Sequence, residues 1–158
     1  MSHFPAVQTA SQLLEEQVEC LSTGIRQLDS LLKGGFPRGR ISEIAGPPSS
    51  GKTSVVWTTL TEATRRGEAV AYIDAFDVFD PFSAVLRRMD PGLLLWIRCR
   101  GSCAKALVAA DIVARSASFG AVVLDLIPAD KQPRPSGSKP VTSCSWFRLK
   151  KTLEGTRT

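Results

Sequence analysis

Residues Gly46-Pro47-Pro48-Ser49-Ser50-Gly51-Lys52-Thr53 set two glycines five positions apart and follow the second with a lysine and a hydroxyl, the spacing GxxxxGK[ST]. The preceding Ile41-Ser42-Glu43-Ile44-Ala45 predicts a strand, and residues 52–66 predict a helix that stops at Gly67. Strand, loop and helix in that order give the spacing a mechanism. Glycine lets the main chain wrap closely, successive N–H groups turn inward, and the helix N-terminus adds positive potential. The ligand such a loop fits is a phosphate group. Lys52 is placed to reach the β- and γ-phosphates as a point charge, and the Thr53 hydroxyl to ligate the magnesium that bridges them.

The rest of the chain keeps alternating. Strands are predicted at 69–73, 93–97 and 121–126, and helices from Asp80-Pro81 through Arg88 and over 104–116. Four strands separated by helices predict an α/β fold, a mostly parallel sheet flanked by helices with ligands outside the carboxyl ends of its strands. The run Ala121-Val122-Val123-Leu124-Asp125-Leu126 has the composition of a strand buried on both faces. A carboxylate closing such a run is costly unless a cation or donors meet it, so Asp125 is the second expected magnesium ligand. Asp74 also closes an apolar strand and should reach the same sheet edge.

Flanking segments complete the expected organisation. An amphipathic helix beginning near Ser11 carries Leu13, Leu14, Gln17, Val18 and Leu21, giving an N-terminal helix over 1–21. A second helix takes Thr23 as its cap and stops at Gly34-Gly35. The nucleotide-binding core runs over 22–127, a Pro/Gly/Ser-rich loop over 128–140 and a basic helix over 141–158. Residues 131–158 hold seven Lys/Arg and one acid, whereas the first 130 residues sum to −1. Trp146 and Phe147 beside Arg148, Lys150 and Lys151 make single-stranded DNA one expected partner of this tail. The competing reading is an apolar face of Trp146, Leu149 and Leu153 packed on the domain, with the lysines in solvent.

Composition removes other classes. The single histidine, His3, stands near the terminus, so histidine acid/base chemistry and mixed His/Cys zinc sites lack material. Of the four cysteines, only Cys99 and Cys103 are close, with three residues between them where redox and ribbon motifs need two. Reduced thiols are expected. No apolar run approaches the roughly 20 residues that span a bilayer, and the N-terminus lacks a basic flank and apolar core, which predicts a cytoplasmic protein with no membrane partner.

Several segments together resemble the ATP-binding core of RecA-type recombinases. They are the stretch from Thr23 to Thr53 with its TG, LD, GG, P-x-G-R, E-I and GP-x-SSGKT parts, then YIDAFDVFDP, then VVLDL. The resemblance covers about residues 22–127. LLLWIRC, KALVAADIVA, FGAVVLDL and SWFRLKKTLEGT further resemble the ImuA-like relatives of RecA found in bacterial damage-induced mutagenesis cassettes. That resemblance implies a RecA-like P-loop NTPase fold, ATP and magnesium as cofactors, and work in DNA repair, recombination or SOS mutagenesis. Implied partners are a recombinase filament, an error-prone polymerase or further copies of the chain.

Residue by residue, Gly46 through Thr53 inherit the phosphate and magnesium roles, Asp125 the magnesium-linked role, and Asp80 the contact to the adenine amino group. Where active recombinases place a water-orienting glutamate the chain has Phe76, and a phenyl ring neither accepts a proton nor holds a water. Weak or absent hydrolysis is the expectation, with Asp77 and Asp74 the nearby carboxylates able to substitute. Ser83 stands where the family offers an aromatic ring to the base, next to Phe82. The chain stops at Thr158, where another buried strand would be expected, so the fold reads as truncated at its C-terminus, without the family's DNA-lining loops. A DNA-stimulated ATPase and a nucleotide-independent scaffold are the alternatives. A small-molecule phosphotransferase shares only the loop.

Overall fold

The computed structural model describes residues 19–126, 143–154, 156 and 158. In chain order its elements are β1 (Cys20–Leu21), α1 (Arg26–Leu31), β2 (Phe36–Pro37), α2 (Lys52–Arg65), β3 (Val70–Asp74), α3 (Pro81–Leu86), β4 (Leu94–Arg98), α4 (Cys103–Ser116), β5 (Ala121–Asp125) and α5 (Ser143–Leu153). A single 3-10 turn, Pro91–Leu93, leads into β4.

Strands β4, β3 and β5 lie side by side in that order, all parallel, so β3 is central. Its five residues are all buried. Period-two alternation then divides the core. Val70 and Tyr72, with Ala121 and Val123 of β5, face Trp57, Leu60 and Ala63 of α2. Ile73, with Val122 and Leu124, faces Ala106, Ala110 and Ala114 of α4. Two helical layers therefore sandwich the sheet, the parallel α/β arrangement that the alternation predicts. Asp74 and Asp125 stand opposite each other in the register, at the carboxyl ends of their strands.

Helix α5 closes the second layer. Leu149 and Leu153 are buried against the α4 side of the sheet, while Lys150 and Lys151 remain exposed. Thr152 Oγ1 donates to Asp111 of α4 at 2.9 Å, and Arg148 approaches the same carboxylate at 3.7 Å. The helix covers 143–153 rather than 141–158, with 141 and 142 outside the described residues.

The N-terminal part departs from expectation. Residues 1–18 of the expected N-terminal helix lie outside the described residues, and Cys20 and Leu21 are not helical but pair antiparallel with Pro37 and Phe36. Leu21 gains burial in the core through that pairing, which wins over helical periodicity. Nor does Thr23 cap α1. Ile25 holds the cap position without a side-chain bond, and Asp29 instead accepts from Ser22 Oγ, Thr23 N and Thr23 Oγ1 at 2.6, 2.7 and 2.7 Å.

Burial pushes the Asp29 carboxyl upward, but those hydrogen bonds outweigh it and hold the group below its ordinary value. A depressed carboxyl stabilises the fold fully above the unfolded pKa, about 3.9, and that contribution is lost as pH falls through the lower folded value. Thermal unfolding from pH 6 to pH 2 should show a melting temperature that drops more gently in acid for Asp29→Asn than for wild type. Parallel acid limbs would show that Asp29 carries no linkage.

Two strand expectations also change. β5 is an edge strand of partly exposed residues among the described elements, not one buried on both faces. The Ile41–Ala45 strand does not form: 40–45 makes no main-chain hydrogen bond to the described residues, and Ile41 is 42% exposed. No described strand edge pairs with it, and of its five residues Ile44 alone is partly buried.

Candidate functional site

Helix α2 begins at Lys52 because Gly51, at φ +87°, turns the chain into it from the left-handed region. Ser49 also has positive φ, 59°. The loop these two residues shape closes on the lysine. Lys52 Nζ donates to the carbonyls of Gly46 and Pro47 at 2.8 and 2.6 Å and approaches Ser50 Oγ at 3.4 Å. A Cβ on Gly46 would lie 2.8 Å from Ser50 Oγ, so the loop packs as tightly there as the spacing suggests.

Lys52 and Thr53 open onto a long cleft of about 770 Å³ that runs past β5 and reaches Leu149 and Lys150 of α5. Asp125 lines the same cleft. The topology explains the meeting. Asp125 shares a sheet face with Val123, the face that α2 covers, so the strand's terminal carboxylate and the first turn of the helix border one space. Tyr72 Oη donates to Asp125 Oδ2 at 2.6 Å. Burial first, then the neighbouring Asp125 and Asp74 carboxylates, push the Tyr72 phenol far above its ordinary value, so it stays a donor.

This donor set fits a magnesium nucleotide. Magnesium takes one or two protein oxygens and completes its shell with water and phosphate, a role open to the Asp125 carboxylate and the Thr53 hydroxyl, which line one cleft. No cluster of three or more His, Cys, Asp or Glu able to hold a metal alone occurs among the described residues, so the phosphates would have to supply the remaining ligands.

The other named carboxylates are placed elsewhere. Asp74 is fully buried: Oδ1 accepts from Phe76 N and Val78 N at 3.3 and 3.0 Å, and Oδ2 from Phe79 N and Trp96 Nε1 at 2.9 and 3.3 Å. With four donors on it and no exposure, it is a structural hub and cannot orient a solvent water. Asp77, at φ +58°, pairs with Arg98 at 3.1 Å, and that guanidinium also covers the Trp96 ring at 5.1 Å. Asp80 caps α3, accepting from Phe82 N, Ser83 N and Ser83 Oγ at 3.1, 3.3 and 2.5 Å. Neither Asp77 nor Asp80 lines the cleft.

Phe76 turns inward. It is 5% exposed and packs with Ile73, Cys99 and Ala106 on the α4 side. Phe82, next to Ser83, is 71% exposed. Sequence reasoning missed Tyr72, which reads in AVAYI only as a strand residue; the signal that finds it is its parity with Asp125 across the parallel register.

The RecA N-terminal domain family matches residues 6–135. The chain belongs to the RecA family. It is 39% identical over 113 residues to Protein RecA of Parasynechococcus marenigrum, covering 72% of this chain and 30% of that protein. Against Protein RecA of Bacteroides thetaiotaomicron it is 41% identical over 115 residues, 72% of this chain and 34% of that one. The chain thus spans about a third of the length of these relatives. A solved structure of the RadB recombinase superposes with a TM-score of 0.64 at 27% identity, covering 87% of this chain and 64% of that one. This RecA-family chain has the family's α/β architecture, and no described helix is long and apolar enough to cross a membrane.

Proposed function

We propose that the chain binds MgATP between the Gly46–Thr53 loop and Asp125, and that the bound nucleotide controls its contacts in DNA repair or recombination with little or no hydrolysis. The observation that carries this reading is the convergence of Lys52, Thr53 and Asp125 on one cleft. Lys52 Nζ and the amides opening α2 would hold the phosphates, and Thr53 and Asp125 the magnesium. A magnesium ion held by Thr53 and Asp125 would supply positive charge to offset that of the phosphates. Asp80, at the head of α3 and outside the lining of the cleft, would have to give up its cap to meet the base.

Weak hydrolysis is supported by the carboxylates. Phe76 is buried, Asp74 is committed to four donors, and Asp77 is held by Arg98, so none is aimed at a water in the cleft. This disfavours the DNA-stimulated ATPase. The proposed role is an ImuA-like one in the cytoplasm, modulating a recombinase filament, its own oligomers or an error-prone polymerase in SOS mutagenesis. Exposed Phe147, Lys150 and Lys151 on α5 support a contact to single-stranded DNA.

Calorimetric titration tests the reading. Wild type should bind MgATP saturably and Lys52→Ala about 10–100-fold more weakly, the loss expected for one charged phosphate contact. Phosphate release should stay at background with or without single-stranded DNA. Equal binding by both proteins, or turnover stimulated by DNA, would overturn it.

A further inference from the structure

Tyr72 sits in the middle of the central strand, 3% exposed, and yet its one polar atom reaches the end of the neighbouring strand to donate to Asp125 at 2.6 Å. The ring is held from behind. Phe79 lies 4.6 Å from it between ring centroids, and Phe79 is itself set against Trp57 and Trp96 at 5.4 and 5.2 Å. A buried phenol packed in such a cluster is sterically restricted, so the carboxylate it donates to meets a well-placed donor.

Register supplies the reason for the reach. Tyr72 stands opposite Val123, two residues before Asp125 on the same face, and Asp74 is Asp125's direct partner. Asp74 is saturated by main-chain and indole donors, so of the two facing carboxylates only Asp125 both lines the cleft and answers to Tyr72.

We propose that Tyr72 is a positioning residue for the magnesium-nucleotide site: by donating to Asp125 Oδ2 it fixes the orientation in which that carboxylate meets the cation across the cleft from Thr53. The inference rests on the nucleotide reading given above and deepens it. Outer-sphere partners of metal-ligating carboxylates tune metal affinity about 10–100-fold, and a phenol donor on one oxygen acts in that way.

The test compares two titrations of the full chain, ATP with magnesium and ATP with EDTA, in wild type, Tyr72→Phe, Asp125→Asn and the double variant. Phenylalanine keeps the ring in its cluster and removes only the hydroxyl. Wild type should gain affinity from magnesium, and Tyr72→Phe should lose about tenfold of that gain or more while its affinity in EDTA stays at the wild-type value. Asp125→Asn should lose the gain, and adding Tyr72→Phe to it should lose nothing further. A Tyr72→Phe protein with the full magnesium gain overturns the inference and leaves the nucleotide reading standing. So does an equal fall in both titrations, which would mark Tyr72 as a support of the sheet only. A wild type that binds neither form, or binds both equally, overturns the nucleotide reading and this inference together.

Discussion

Asp74→Asn should destabilise the protein by about 3 kcal/mol, lowering the melting temperature by about 6–12 °C for a chain of this size. Both oxygens of Asp74 accept only from donors: two main-chain amides on Oδ1, one amide and the Trp96 indole on Oδ2. An asparagine must present its NH₂ to one of these pairs whichever way it is turned. At zero exposure no water can intervene. The amides belong to the turn from β3 toward α3, so the loss should also loosen the segment that seats Phe79. Denaturant unfolding measures the effect. A midpoint within about 0.5 kcal/mol of wild type would show that the hub can be rebuilt around a neutral side chain.

Gly35→Ala comes next in size, at about 2–4 kcal/mol. The φ of Gly35 is +123°, and a Cβ there would lie 2.0 Å from the carbonyl oxygen of Leu21 and 2.8 Å from Ser22 Cα, both main-chain atoms that cannot swing aside. Relief requires the β1–β2 ladder to separate, withdrawing Leu21 from the core. Gly34 provides the control. Its φ is the same, but a Cβ there meets only Cys20 Cβ and Sγ at 3.5 and 3.8 Å, ordinary contact distances. Gly34→Ala therefore carries the backbone strain without the collision. Equal melting temperatures for the two variants would show that the collision is absorbed elsewhere.

Much of this was legible in the chain itself, and the reasons are local. The loop, α2 and the three strands that follow announce themselves through spacing and apolar runs that no long-range contact needs to interpret. That Lys52, Thr53 and Asp125 line one cleft follows from the chain order, because strand-end and helix-start positions meet at one edge of a parallel α/β sheet. What escaped depends on distant partners. Cys20-Leu21 read as helix because its ladder partners, Pro37 and Phe36, lie 17 and 15 residues away. Ile41–Ala45 read as a strand because composition does not say whether an edge stands within reach. Asp74 and Asp77 read alike as carboxylates beside a loop. Only the tertiary structure separates one held by four buried donors from one paired with Arg98. The basic tail carried two readings; α5 realises the packed one for Leu149 and Leu153 and leaves its lysines in solvent.

Arg38 donates to the carbonyl of Gly120 at 2.9 Å and to Glu68 at 2.8 and 2.7 Å, uniting points 82 and 30 residues away along the chain. On the ribosome this becomes a matter of timing. Glu68 is available early, but Gly120 is made roughly 4–16 s after Arg38 at synthesis rates of about 5–20 residues per second. Through that interval the guanidinium lacks its Gly120 anchor, and the edge of β3 that β5 will cover stands open. Until β5 is made, the sheet lacks one of its three described strands and leaves that β3 edge as an open template for pairing.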